Sequence, residues 1–272
     1  MWPKNASTSH IIIFLAVTML TSWGLAYAVA KSPNPIAISG MVLVIPTIAA
    51  IALNIIHHKG IMNVYPPVVT GTTAKSLIFA VLYPLAFVAV SAAVALIGRM
   101  AEFNRGNLPL GSDYLLHLVG IMLFMVIAFG EEYGWRGFLL PALAARFGQL
   151  KAALLVGLIW AAYHLPGTYF AASAFEAVNP WVFSLTQSLL LLVRAFPLAY
   201  CYFQTESSII SVILLRSVWD IAHNLVFGGT ASEARTILAG NYLFFNTIPI
   251  ELVLSAAAAV WFGWKLNQQS TQ

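Results

Sequence analysis

The chain has 272 residues, of which 60% are hydrophobic and only 8% charged, and its mean hydropathy is +0.86. A soluble domain carries roughly 25% charged residues, so a water-soluble globular protein is excluded and lipid is the natural solvent. The formal charge of +4 arises from 13 basic residues scattered along the chain; they form no nucleic-acid patch and read as loop residues facing lipid headgroups.

A spanning helix needs about 20 mostly apolar residues. In chain order, the stretches 11–30, 36–56, 76–97, 114–131, 152–170, 181–203, 207–227 and 243–264 qualify. Loop signals separate them: Ser32–Pro33–Asn34–Pro35, Tyr65–Pro66–Pro67, the polar stretch from Arg99 to Asp113, and Gly228–Gly229–Thr230. Lipid admits helices or closed barrels because every backbone polar group must be satisfied internally. The expected fold is therefore all-α, a polytopic integral membrane protein with about eight transmembrane helices. It forms a single membrane domain over 1–272, with scaffold spans at 11–97, a core at about 115–228 and a last span at 243–264. The first apolar run reads as a membrane helix rather than a signal peptide, although Ala28–Val29–Ala30 has the look of a cleavage site.

An even number of spans places both termini on one side. Lys4, Lys59, Lys75, Arg146, Lys151 and Lys265 fall on that side, against Lys31, Arg99, Arg105 and Arg235 on the other. The excess favours cytoplasmic termini in a cell membrane. Trp2, Trp181, Trp261 and Trp264 fit interfacial anchors, and the lone Cys201 excludes an internal disulfide.

Polar residues within spans are costly and so mark chemistry. Glu131–Glu132–Tyr133–Gly134–Trp135–Arg136 follows directly on an apolar run. In a helix Glu132 and Arg136 pair at i, i+4, whereas Glu131 points about 100° away and is left without that partner. An unpaired carboxylate in such a place suits a general base. His164 lies inside the fifth span, just before Pro166, which is expected to open the helix and free carbonyls near it. In the seventh span, Arg216 and Asp220 form an i, i+4 pair expected to satisfy each other. His223 and Asn224 supply donors of the kind an oxyanion needs. Arg194 and Glu251 read as structural charges. Glu131, His164 and His223 could hold a zinc-type metal, or Glu131 and His164 could activate water without one; spacing leaves both open.

The pattern Glu131–Glu132–x–x–x–Arg136, followed by Trp160–x–x–x–His164, resembles the CPBP intramembrane proteases, which include Rce1-type CAAX endopeptidases and bacteriocin-immunity relatives. The resemblance spans about residues 115–228. It implies an eight-helix intramembrane peptidase in which Glu131 and His164 activate water, Glu132 and Arg136 are structural, and no metal is required. The third motif departs from the family's His-x-x-x-Asn or His-x-x-x-Asp. Here Asp220 stands four residues before Asn224, and Arg216 four before Asp220. The expected function is an intramembrane endopeptidase acting on a peptide that reaches the membrane. A non-catalytic binding or immunity protein of the same fold is the alternative, and a small transporter a third. The last predicts repeats that the nearly uncharged first half does not mirror.

Overall fold

The structure, a computed structural model, describes residues 4–31, 35–58, 71–108, 113–173, 179–205, 207–228, 236–239 and 248–269. Its helices are α1 (Thr8–Lys31), α2 (Pro35–His58), α3 (Ala74–Ile97), α4 (Asp113–Glu132), α5 (Leu140–Phe147), α6 (Gln149–Ser173), α7 (Pro180–Gln204), α8 (Ile209–Phe227) and α9 (Ile248–Gln269). A π-helical segment, Tyr133–Leu139, joins α4 to α5. Six described helical runs are long and apolar enough to cross a membrane, and α2 holds a shorter apolar stretch, Val42–His57. The protein is an all-α, multi-pass membrane protein. A two-residue antiparallel pair, Glu102–Phe103 with Leu238–Ala239, ties two extramembrane connections together. Trp2, Lys59, Arg235 and Tyr65–Pro66–Pro67 lie outside the described residues, as does the start of the predicted last span.

The fourth predicted span does not end at Glu131. The helical run continues from Leu115 to Phe147, 33 residues, so the glutamate pair sits inside it, at the junction with the π segment. A π turn inserts extra residues into a helix and re-aims the side chains around it. Gly148, at φ 79°, terminates α5, and its N–H caps the carbonyl of Ala144 at 2.9 Å. Start signals are as clear: Asn179 caps α7 through the amides of Trp181 and Val182 with Pro180 at the first turn, and Ser208 caps α8.

Prolines inside two spans govern how the site is assembled. A proline has no N–H, so the carbonyl four residues before it loses its helical partner. Pro166 does not open α6, which runs on to Ser173. Its orphan, the carbonyl of Ala162, instead accepts from Trp23 Nε1 of α1 at 3.2 Å. Thr168 Oγ1 donates back to the carbonyls of His164 and Leu165 at 3.1 and 3.0 Å. Pro46 of α2 likewise orphans the carbonyl of Val42, which accepts from the Tyr163 hydroxyl of α6. Two freed carbonyls thus dock α6 against α1 and α2, with His164 next to the second contact.

The π segment packs just as closely on α2. A Cβ on Gly134 would lie 2.5 Å from the carbonyl carbon of Pro46, so only glycine fits this crossing. Trp135 and Phe138 are fully buried and enclose Phe14 of α1, with ring centroids 5.7 and 4.8 Å away. By contrast, Leu115, Leu116, Met122 and Val126 of α4 are exposed and form a lipid-facing stripe.

Candidate active site

Glu131 and Glu132 close α4, Trp135 and Arg136 lie on the π segment, Trp160 and His164 on α6, and Arg216 and Asp220 on α8. Glu131, Glu132 and Arg136 are all 0% exposed. Arg136 Nη1 donates to Glu132 Oε1 at 3.0 Å, the i, i+4 pair read from the sequence. The guanidinium of Arg136 also lies 4.4 Å from the centre of the Trp160 ring, a favourable cation–π placement away from water.

Glu131 is not the unpaired carboxylate expected. Arg216 reaches across from α8, donating from Nη2 to Glu131 Oε1 and from Nη1 to Glu132 Oε1, each at 2.9 Å. The expected mutual satisfaction of Arg216 and Asp220 is correspondingly weak, with Nε and Oδ2 3.6 Å apart. The reason is burial: two glutamates sealed from water need a cation more than Asp220, whose side chain is 27% exposed. Oε2 of Glu131 accepts from Trp160 Nε1 at 2.8 Å, His164 Nε2 at 3.1 Å and Trp135 Nε1 at 3.3 Å. With Glu131 ionised, Nε2 of His164 must carry the proton, since two facing acceptors would repel.

A carboxylate oxygen offers about two lone pairs. Oε2, with its three donors, is filled, whereas Oε1 receives only Arg216 and retains capacity for one more donor. Oε1 is therefore the oxygen of Glu131 with acceptor capacity to spare, although the side chain is 0% exposed and does not itself line the adjoining cavity among α6, α7 and α8. The tryptophan donors were the part of this arrangement that charge-based sequence reading missed. Their signal was present in the spacing, since Trp135 stands four residues after Glu131 and Trp160 four before His164.

His223 and Asn224 do not join this cluster. His223 Nε2 lies 2.9 Å from Glu251 Oε1 of α9, and Arg194 Nη2 of α7 lies 3.1 Å from Glu251 Oε2. Arg194 and Glu251 are thus partners of each other, and Glu251 also faces His223. Asn224 is exposed, and its carbonyl accepts from Gly228 N at 2.9 Å as α8 ends. The zinc set of Glu131, His164 and His223 is not assembled: among the described residues no three His, Cys, Asp or Glu side chains converge as metal ligands.

The residues that build the Glu131 cluster lie between 113 and 222, and this segment matches the family model for type II CAAX prenyl endopeptidase Rce1-like proteins. Residues 113–222 are thus similar to the Rce1-like family and form the matched core of the chain. A curated relative, CAAX prenyl protease 2 of Methanococcus maripaludis, is 25% identical over 132 residues, covering 47% of this chain and 48% of the relative. The chain thus spans about half the length of the curated relative it matches. The Rce1-like core takes in both glutamates, Trp160, His164, Arg194, Arg216 and Asp220, and stops just short of His223. Glu251 and the first three helices lie outside it.

Proposed function

We propose that the protein is an intramembrane endopeptidase in which Glu131 activates water. The observation that carries this reading is the Glu131–His164 contact, 3.1 Å between side chains of two separate membrane helices in the Rce1-like core. A water admitted to Oε1 of Glu131, which is sealed from solvent in the resting structure, gives up a proton to that oxygen as it adds to the peptide carbonyl. The proton then passes to the nitrogen of the departing amine as the C–N bond breaks. His164, donating to Oε2, fixes the carboxylate and shares its charge through the step. His223 and Asn224 were the expected oxyanion donors. Arg216 takes that task more readily, because it touches Glu131, lines the adjoining cavity, and has N–H groups beyond those its two glutamates use.

The test is purified protein in lipid nanodiscs with a library of membrane-associated peptides. Glu131→Gln and His164→Ala are each expected to lower cleavage by about 10²–10⁴-fold, the usual worth of general acid–base catalysis. Cleavage at the wild-type rate in both variants overturns the assignment. Two protein donors, Glu131 and His164, are fewer than a catalytic zinc takes from its protein, so cleavage is expected to survive chelation; loss restored by added zinc reverses that reading. A second reading, a non-catalytic peptide-binding protein, is favoured by the donors already filling Glu131 Oε2 and by the Arg216–Asp220 frame in the third motif. It prevails if the wild type binds peptides and cleaves none. The proposed setting is the cell membrane, with lipid and peptide as partners and both termini cytoplasmic.

A further inference from the structure

Arg216 stands between two sets of carboxylates. Its Nη2 and Nη1 donate to Glu131 and Glu132 at 2.9 Å each, while Nε stops 3.6 Å from Oδ2 of Asp220, one turn further along α8. The first two contacts are hydrogen bonds and the third is an ion pair without one, since an N–H donor lies about 2.7–3.2 Å from its acceptor. Different nitrogens of one guanidinium serve the two sets. A shift of 0.7 Å, the difference between 3.6 and 2.9 Å, would bring Asp220 to the distance the glutamates now hold and loosen the contact with Glu131. Glu132 would keep Arg136 at 3.0 Å, and Glu131 its three donors on Oε2. The guanidinium lies 5.1 Å from the centre of the Trp160 ring, so after such a shift it is still within the ~6 Å range of a cation–π contact. Arg216 and Asp220 both line the cavity among α6, α7 and α8, whose volume of about 40 Å³ has room for about three waters, so the movement borders open space rather than packed atoms.

Water at Asp220 decides which set wins. The Asp220 side chain is 27% exposed, against 11% for Arg216 and 0% for Glu131 and Glu132. While hydrated, it competes poorly for the guanidinium with carboxylates sealed from solvent. A peptide segment lying over Asp220, outside the cavity, strips that water and lowers the local dielectric, so the attraction between Asp220 and Arg216 strengthens. Glu131 gains by the exchange, because a carboxylate oxygen that already receives a guanidinium N–H is a poor proton acceptor.

We infer that Asp220 is a positioning residue: covered by substrate, it draws Arg216 toward itself and frees Oε1 of Glu131 for water. The resting contact of Arg216 with Glu131 then keeps that carboxylate idle until a peptide is in place. The inference rests on the endopeptidase reading of Glu131, but the movement of Arg216 is measurable without cleavage.

The measurement is a rotational-echo double-resonance NMR distance, in proteoliposomes, between the carboxyl carbon of Asp220 and Nε of Arg216. Asp113 and Asp220 are the only aspartates of the chain, so isotope-labelled aspartate and arginine single out this pair. Partial drying removes water from Asp220 as a substrate would. It is expected to shorten the wild-type separation by about 0.7 Å, and rehydration to restore it. Glu131→Gln weakens the competing partner and is expected to shorten the separation at full hydration. An unchanged separation in both experiments overturns the inference. In cleavage assays Asp220→Asn is expected to lower kcat about tenfold without raising KM, on the scale of one hydrogen bond between charged groups. Asp220→Glu keeps the charge and is expected to restore most of the rate, which a merely structural role for Asp220 would not require. Wild-type kcat in Asp220→Asn overturns the inference as well. Shortening in a wild-type chain that cleaves no peptide retains the mobile guanidinium and removes the reaction it serves; Glu131-dependent cleavage without shortening does the reverse.

Discussion

Arg216→Gln is the perturbation that most directly tests how the buried charges are held. Arg216 stands 2.9 Å from Glu131 and 2.9 Å from Glu132, both 0% exposed, and 3.6 Å from the more exposed Asp220. At about 4 Å between charge centres each close pair is worth roughly 4 kcal/mol of attraction at an effective dielectric near 20. Most of that offsets desolvation already incurred, and what the variant reveals is the cost of a carboxylate left buried without its guanidinium, with only the three Oε2 donors in place, typically about 3–5 kcal/mol. Glu132 keeps Arg136, 3.0 Å away, so the stranded group is Glu131. The assay is reversible unfolding of the purified chain in mixed micelles as the SDS mole fraction rises. Arg216→Gln is expected to lose about 3–5 kcal/mol, and Arg216→Gln/Glu131→Gln to recover most of it. An Arg216→Gln protein within about 0.5 kcal/mol of wild type, the ordinary spread for a surface change, refutes the reasoning. Recovery by Asp220→Asn in place of Glu131→Gln does so too, because it would restore Asp220 as the principal partner.

Other consequences follow from the packing. Gly134→Ala places a methyl 2.5 Å from the backbone of Pro46 and is expected to cost about 1–3 kcal/mol, the range for overpacking, by the same unfolding assay. Tyr163→Phe strands the Val42 carbonyl that Pro46 cannot satisfy and is expected to cost about 1–3 kcal/mol. In a Pro46→Ala background, where the backbone N–H regained at that position can take the carbonyl, the loss should shrink to less than half; equal losses in both backgrounds would show that the two are uncoupled. Trp135→Phe removes the longest of the Glu131 contacts, 3.3 Å, and leaves Oε2 with two donors. It is expected to retain cleavage within about tenfold of wild type, on the scale of one modest hydrogen bond, and a drop comparable to that of Glu131→Gln would make Trp135 part of the catalytic machinery.

Membrane class and helix positions were legible because the constraint is one-dimensional: a run of apolar residues long enough to cross lipid announces itself without knowledge of its neighbours. The i, i+4 pairing of Glu132 with Arg136 was legible for a similar reason, since it lies within one helix. What the sequence could not reveal is which side chains meet across helices. Arg216 was matched to Asp220 because four residues separate them, yet its shortest contacts are with Glu131 and Glu132, which come 85 and 84 residues earlier. Glu131 was left bare for the same reason, its donors arriving from α6 and α8 as well as from the π segment. Pro166 was visible as a helix breaker, but its outcome depended on Trp23, which lies 139 residues from the carbonyl it satisfies. His223 adjoins Asn224 in sequence, yet it turns to Glu251, beyond the end of the matched core.

The two histidine–glutamate contacts differ in a way that bears on which one does chemistry. Glu131 and His164 both lie in the Rce1-like core, and Glu131 there carries four donors while still keeping a lone pair on Oε1 beside Arg216. Glu251 is held by Arg194 on one oxygen and faces His223 on the other, an arrangement that ties α7, α8 and α9 together. In the proposed reaction a water at Glu131 Oε1 would sit next to the Arg216 guanidinium, which also borders the small cavity among α6, α7 and α8. Glu251 too has a guanidinium beside it, that of Arg194, which borders the same cavity, so what separates the two contacts is that Glu251 and His223 lie beyond the matched core. Preorganised donors count in catalysis only where charge develops; under the proposed function that is at the first contact, inside the matched core, while the second fixes α7, α8 and α9 to one another.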